Sequence, residues 1–268
     1  MVYTHIIYYY LPTSMQTFTI TFGDQAENHV GMEKLGNLLP HGFSHADLTS
    51  IKAAFDLKNF TTEMHHLNDL IDDEKTRAST EDAYVLVVRQ GLEALVPSPN
   101  DVDAFYEEQK ALEKDRQALM YGRVVNKHAR HNLCFADVGH AADIAHGQGT
   151  VVAFGSVPLL AHVRDSIEDL TGHRLVAEGN YYYDIQKCGI GYHGDAERRV
   201  VIGIRLGADM PLHYRWYHNS EVVSRTLKLM LGHGDVYFMS EKATGFDWKL
   251  RSQYTLRHAA GSKKFLDQ

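Results

Sequence analysis

The sequence predicts an α+β protein whose C-terminal half is an antiparallel sandwich or barrel. Three observations predict it. Beyond residue 172 the chain breaks into short apolar runs separated by Gly and Asp turns, with little helix between them. Before that point, apolar residues recur at helical spacing in several separate stretches. The 268 residues are 44% hydrophobic and 23% charged, enough apolar material for a sizeable core and too much for wholesale disorder.

Taken in order, the first strand is expected at residues 18–22, where aromatic and β-branched residues alternate. The apolar start, residues 2–11, lacks a basic leader region and a small-residue cleavage site, so no secretory signal is expected. No run approaches 18 uninterrupted apolar residues, so no membrane span is expected either. Ser44 and Asp47 read as a capping box opening a helix that buries Leu48, Ile51 and Phe55. Residues 84–88 form a short apolar run, read as a buried strand. Pro97-Ser98-Pro99-Asn100 then stops both helix and strand, because two prolines remove backbone donors and fix φ. It divides an N-terminal region, 1–110, from a core, 111–268, or else is an ordinary surface loop. A surface helix over 101–119 carries Phe105, Leu112 and Leu119 on one stripe. Ser156 and Pro158 open another helix, with Leu160, Val163, Ile167 and Leu170 on its face and Gly172 closing it. Strands are expected at 174–177, 189–192, 200–206, 213–217, 227–231, 236–239 and 252–257.

Lys and Arg total 27 against 34 for Asp and Glu, a net charge of −7, so the global field does not advertise a polyanionic partner. The Arg- and His-rich stretch 123–131 is the local exception. Two cysteines, Cys134 and Cys188, exclude a disulfide framework and a cysteine zinc site, which points to an intracellular setting, cytoplasmic or nuclear. Seventeen histidines invite a search for metal ligands. His65-His66 and the group His128, His131, His140 and His146 fit no zinc spacing and are read as structural or surface residues.

The chemistry concentrates at His193-Gly194-Asp195. Residues two apart share a strand face, so an imidazole and a carboxylate converge on one point. With a third ligand from a later strand they make the facial triad of a non-haem Fe(II) site. The same spacing occurs at His45-Ala46-Asp47 and at His233-Gly234-Asp235, the latter read as a hairpin turn. In 252–257 and the residue before it, alternation sends Arg251, Gln253, Thr255 and Arg257 to one face. Two guanidiniums on a barrel wall require a buried dianion, unless the strand is an exposed edge.

Residues 251–257 resemble the R-x-N-x-T-x-R signature of the AlkB family of Fe(II)/2-oxoglutarate dioxygenases, with Gln253 in place of Asn. The resemblance covers most of residues 117–261. It takes in Tyr121-Gly122-Arg123, Ala129-Arg130-His131-Asn132, Phe135-Ala136-Asp137, Asn180-Tyr181-Tyr182, residues 202–207 and residues 234–237, in the family's order. It implies a double-stranded β-helix (jelly-roll, cupin-like) with flanking helices and an N-terminal extension. It implies Fe(II), 2-oxoglutarate and O2, with Arg251 on the cosubstrate's distal carboxylate, Arg257 nearby, and Asn180 and Tyr182 hydrogen-bonded to it. The implied reaction is hydroxylation or oxidative dealkylation, with nucleic acid the favoured substrate. A protein side chain or a small molecule such as an amino acid is the alternative, and a non-catalytic ligand binder is a third class. Asp195, where Gly or Ala would open a halide site, favours hydroxylation over halogenation.

The family's third ligand is a histidine between Asp235 and the first arginine of the last strand, and residues 236–250 contain none. Lys242, nine residues before Arg251, falls at that place and is expected to complete the set with His193 and Asp195. Asp247, His258 and a water are the alternatives. Residues 1–110 match nothing in the family and are expected to shape substrate access.

Overall fold

The computed structural model describes residues 15–267, so the apolar start at 2–11 lies outside the described residues. The chain begins with strands β1 (Thr17–Gly23), β2 (Gln25–Glu27) and β3 (Lys34–Gly36), followed by helix α1 (His45–Asp56). Strand β4 (Thr62–His66), helix α2 (Glu74–Ser79), strand β5 (Tyr84–Val88) and helix α3 (Asp101–Ala111) follow. Strands β6 (Gln117–Met120), β7 (Arg123–Asn126), β8 (His131–Ala136) and β9 (Val151–Ala153) lead to helix α4 (Pro158–Thr171). The remainder is strand-rich: β10 (Val176–Tyr182), β11 (Gly189–His193), β12 (Val201–Gly207), β13 (Met210–His218), β14 (Glu221–Val222), β15 (Leu227–Leu231) and β16 (Val236–Met239). A one-turn helix α5 (Glu241–Thr244), strand β17 (Thr255–Gly261) and a one-turn helix α6 (Lys263–Leu266) complete it.

Eight strands form one sheet in the order β4-β5-β16-β12-β1-β10-β8-β9. A second, curled sheet runs β11-β17-β13-β14, with β15 also paired to β13. The fold is therefore α+β and strand-rich, with antiparallel strand pairings, one parallel strand pair, β8 with β9, and an isolated parallel bridge between Phe43 and Ser240 among the described residues.

Strand β1 shows how sequence sets this arrangement. All seven of its residues are buried, and the side chains alternate between apolar and threonine. Phe18, Ile20 and Phe22 enter a core shared with Ile202, Ile204 and Leu206 of β12 and covered by Leu48, Ile51 and Phe55 of α1 and Leu160, Val163 and Ile167 of α4. Each such side chain contributes about 1.5–3 kcal/mol on burial. Thr17, Thr19 and Thr21 face the other way, toward the second sheet. There a separate core includes Val85, Val87, Leu212, Trp216, Leu231 and Met239.

Local signals match well where they are self-contained. The Ser44–Asp47 capping box is formed in both directions, and α4 starts on Pro158 and ends on Gly172 at φ 74°. Longer-range features differ from expectation. Helix α3 stops at Ala111, because the Lys114 ammonium donates to the carbonyls of Gln109, Lys110 and Leu112 and caps the last turn. Leu119 instead joins a hairpin, β6–β7, whose two-residue turn holds Tyr121 and Gly122 at φ 50° and 74°. The turn at residues 232–235 links β15 to β16, which lie in different sheets, and so is not a hairpin. The last strand begins at Thr255 and not at Ser252. Strands from both sides of the division near residue 110 share one sheet: β1, β4 and β5 sit with β8, β10, β12 and β16. Among the described residues no helix is long and apolar enough to cross a membrane.

Candidate metal centre

The inner faces of the two sheets enclose a cavity of about 160 Å³ that opens on one side. His193, Asp195 and His258 line it, and one ligand atom from each lies within 4.8 Å of the others. His193 and His258 stand directly opposite each other on β11 and β17, with ring centroids 4.5 Å apart. A register shift between Ile190 and His193 marks a bulge in β11, a device that re-aims a side chain at the end of a ladder. Asp195 follows two residues on, its Oδ1 3.6 Å from His193 Nε2 and its Oδ2 3.7 Å from His258 Nε2. Cis ligands bonded to an ion at about 2.1 Å stand about 3 Å apart, so small side-chain adjustments bring all three onto one ion.

The protonation chemistry suits ligation. His193 Nδ1 lies 2.8 Å from the Gly191 carbonyl. That contact requires Nδ1 to carry the proton and leaves the Nε2 lone pair facing Asp195. Burial pushes the His258 imidazole well below its ordinary pKa, and His193 and Arg198 push the same way. It is thus neutral with free lone-pair capacity. Its Nδ1 is buried without a partner, and its Nε2 is beyond hydrogen-bond distance of Asp195. Gly194 is required between His193 and Asp195: a Cβ there would stand 2.2 Å from the Gly245 carbonyl oxygen.

The opposite wall belongs to the large sheet. Arg205 on β12 is 1% exposed and donates to Thr19 Oγ1 of β1 at 2.7 Å. Its Nε is buried without a partner, and among the described residues no carboxylate comes within ion-pair distance of it. Burial depresses the guanidinium's pKa, while the Tyr237 and Tyr182 phenols nearby oppose that shift. Asn180 is in register with Thr19, which in turn is in register with Arg205. Asn180 Oδ1 accepts from Arg130 at 2.5 Å and from Asn132 at 2.7 Å. Glu178 accepts from Arg198 at 2.8 Å. Although burial works against the Arg198 charge, Glu197, Asp195 and Glu178 together hold its pKa well above the ordinary value.

Of the residues singled out in the sequence, His193, Asp195, Asn180 and Tyr182 line the cavity. Lys242, Arg251 and Arg257 do not. Lys242, expected as the third ligand, lies on α5 with its Nζ 2.5 Å from Asp247 Oδ2. The two rivals for the third place pair with each other, and the residue that stands beside His193 and Asp195 is His258. Arg251 is exposed in the turn before β17. Arg257 points to the outer face, its guanidinium 4.1 Å from the Tyr217 ring centroid and 5.2 Å from that of Trp248. Neither arginine faces a buried dianion site. Alternation along β17 is what separates them from His258: neighbours on a strand face opposite sides. Arg205 lies within the stretch 202–207 that carries the resemblance but has no role assigned by it; a lone arginine in the apolar run 200–206 is the signal in the sequence. The histidines at 128, 131, 140 and 146 stay apart. His140 and His146 pair with Glu33 and Asp143, and the triad is the one candidate metal group among the described residues.

No family model matches the chain. It is 47% identical over 252 residues to the uncharacterized protein R156 of Acanthamoeba polyphaga mimivirus, an alignment covering 94% of this chain and 98% of the viral protein.

Proposed function

This chain belongs to the family of that mimivirus protein, and we propose that its site is that of a Fe(II)- and 2-oxoglutarate-dependent oxygenase. The observation that carries the reading is a pairing across one cavity. Two histidines and a carboxylate converge on one wall, and a buried guanidinium free of any carboxylate partner faces them from the other. A nitrogen-rich, three-ligand set with open positions suits Fe(II). An unpaired buried cation is costly unless an anion joins it.

The strand order supports the same reading. The sets β10-β1-β12-β16 and β11-β17-β13-β15 follow the two faces of a double-stranded β-helix, with β1 filling the eighth place that a C-terminal strand would otherwise take. Lys242 has no part in the ligand set of this reading, and Arg205 replaces Arg251 and Arg257 as the cosubstrate anchor.

Iron with 2-oxoglutarate and O2 supplies an oxidation that places one oxygen atom in a substrate C–H bond and the other in succinate, with release of carbon dioxide. The chain's own residues bind and orient. Gly191 fixes the His193 tautomer, and burial keeps His258 neutral. Arg205 and Thr19 hold the distal carboxylate of the cosubstrate, with Asn180 and Tyr182 on the same wall. Arg198, neutralised by Glu178 and Glu197, fastens the loop after Asp195 to β10.

Single-stranded nucleic acid is the substrate class favoured by the basic segment 116–130. Arg130 lines the cavity, and the β6–β7 hairpin before it carries exposed Arg123 beside its turn and Tyr121, 98% exposed, at its tip, with exposed Arg116 just ahead of β6. Exposed guanidiniums and an aromatic ring suit phosphates and a stacked base. A basic amino acid or protein side chain is the second reading, favoured by Glu27, which lines the same cavity and has no ion-pair partner among the described residues. Conversion of 2-oxoglutarate to succinate, assayed with Fe(II) and ascorbate in the presence of oligonucleotide or of lysine and arginine, tests both. Stimulation by oligonucleotide that fades with salt supports the first substrate, and absence of any succinate contradicts the oxygenase.

A further inference from the structure

Helix α5 is a single turn, too short to be stable by itself, yet it abuts the metal centre. The Thr244 carbonyl accepts the Asp195 N–H at 2.9 Å. The Gly245 carbonyl and the Trp248 side chain crowd Gly194 so closely that a Cβ would meet them at 2.2 and 2.8 Å. Residues 244–248 are therefore the floor on which the His193-Gly194-Asp195 segment rests.

Two polar ties hold that floor. At its start, Glu241 accepts from the Gly42 N–H at 2.6 Å and pairs with Arg199. Across it, Lys242 Nζ reaches Asp247 Oδ2 at 2.5 Å, bracketing Thr244 and Gly245, whose carbonyls meet Asp195 and Gly194. Lys242 is 8% exposed, and its next carboxylate, Glu81, is 3.7 Å away. The other Asp247 oxygen is buried without a partner, so this pair is the side chain's polar tether. Buried charges in such geometry add little net stability but fix one arrangement strongly, since loss of either partner strands the other.

We propose that the Lys242–Asp247 pair is a clasp that closes the turn beneath Gly194 and sets the direction of the Asp195 carboxylate. Lys242 is thus a positioning residue, a role that rests on the metal centre proposed above.

The test uses Co(II) as the probe, titrated by its visible d–d absorption, together with hydrogen exchange at the Asp195 amide in metal-free protein. Lys242→Ala and Asp247→Ala should each lower Co(II) affinity about 10- to 100-fold, the usual range for partners one shell out from a ligand. Both should also speed exchange at Asp195. Lys242→Arg, which keeps the pair, should recover most of each effect. A merely structural lysine would lower the melting temperature and leave Co(II) affinity in the folded protein within twofold of wild type, and that result overturns the clasp. If Lys242→Ala fails to fold, the apolar pair Lys242→Met with Asp247→Leu removes the clasp without stranding a charge, and the same affinity loss is expected. If the wild type itself binds no Co(II), the metal reading fails separately. Exchange at Asp195 then decides the clasp, because an unchanged rate in the variant contradicts it.

Discussion

Replacing Arg205 with Met should move two quantities in opposite directions. Without ligand, Arg205 is a buried cation with one hydroxyl acceptor, Thr19, and an unpartnered Nε. Methionine matches its apolar stem and removes the unpaired charge. Exchange of buried ionic groups for apolar ones is neutral or stabilising by about 1–4 kcal/mol, so the ligand-free variant should melt at or above the wild-type temperature. Ligand binding should collapse instead. Stranding one member of a buried charge pair costs about 3–5 kcal/mol, which is about 150- to 5,000-fold in the 2-oxoglutarate Kd. Thermal denaturation with and without 2-oxoglutarate, on Zn(II)-loaded protein to prevent turnover, reads both effects. At 100 times its Kd the cosubstrate stabilises the wild type by about 2.7 kcal/mol, and the variant at that concentration should show almost none. Two results would refute the reasoning. One is a variant that binds 2-oxoglutarate within threefold of wild type. The other is a ligand-free variant that loses several kcal/mol, as removal of an internally paired arginine would.

Arg251→Ala and Arg257→Ala should both leave 2-oxoglutarate affinity within twofold of wild type by calorimetry, while Arg257→Ala costs about 1 kcal/mol of stability through its lost aromatic contacts. Burial, reinforced by Glu197 and Glu178, raises the Glu27 carboxyl above its ordinary pKa, although the Gly31 N–H opposes the shift. An acid with a raised folded pKa binds more protons folded than unfolded just above 4.5, so stability falls as pH rises through that window. Glu27→Gln should therefore raise the melting temperature at pH 7–8 and leave it unchanged at pH 4, and a gain at both would contradict a titration effect. Gly194→Ala forces a Cβ to 2.2 Å from the Gly245 oxygen. A loss of about 1–3 kcal/mol in urea unfolding is expected, and wild-type stability there would mean the floor beneath the centre is soft.

What the sequence made legible was local. The capping box at Ser44, the Pro158-to-Gly172 helix and the strands at 227–231 and 236–239 are each specified by residues a few positions apart, and they stand where their patterns put them. The approach of His193 to Asp195 is legible only in part: His193 is the last residue of β11, and Asp195 lies beyond the strand with its N–H held by the Thr244 carbonyl. The nearness of His258 to both is not legible at all. Strand β17 is buried on both faces except at Arg257, so burial-driven alternation could not say which of Arg257 and His258 faced inward. Its pairing with β11 and β13 decides that. Strand β1 was recognised as a strand but not as the centre of a sheet. Pairing between residues 17–23 and 201–207 is a long-range contact with no local signature. The turn at Pro97–Asn100 looked like a boundary for a related reason: prolines report where backbone pairing stops locally, not which sheet the flanking strands later join.

Anaerobic addition of Fe(II) to the protein with excess 2-oxoglutarate, followed by visible absorption, tests the metal centre most directly. A weak charge-transfer band should grow to one equivalent of iron in the wild type, persist at saturating iron in Lys242→Ala, and vanish in His258→Ala. A wild type without the band, or a His258→Ala variant that keeps it undiminished, would contradict the assignment of His193, Asp195 and His258 as the iron ligands.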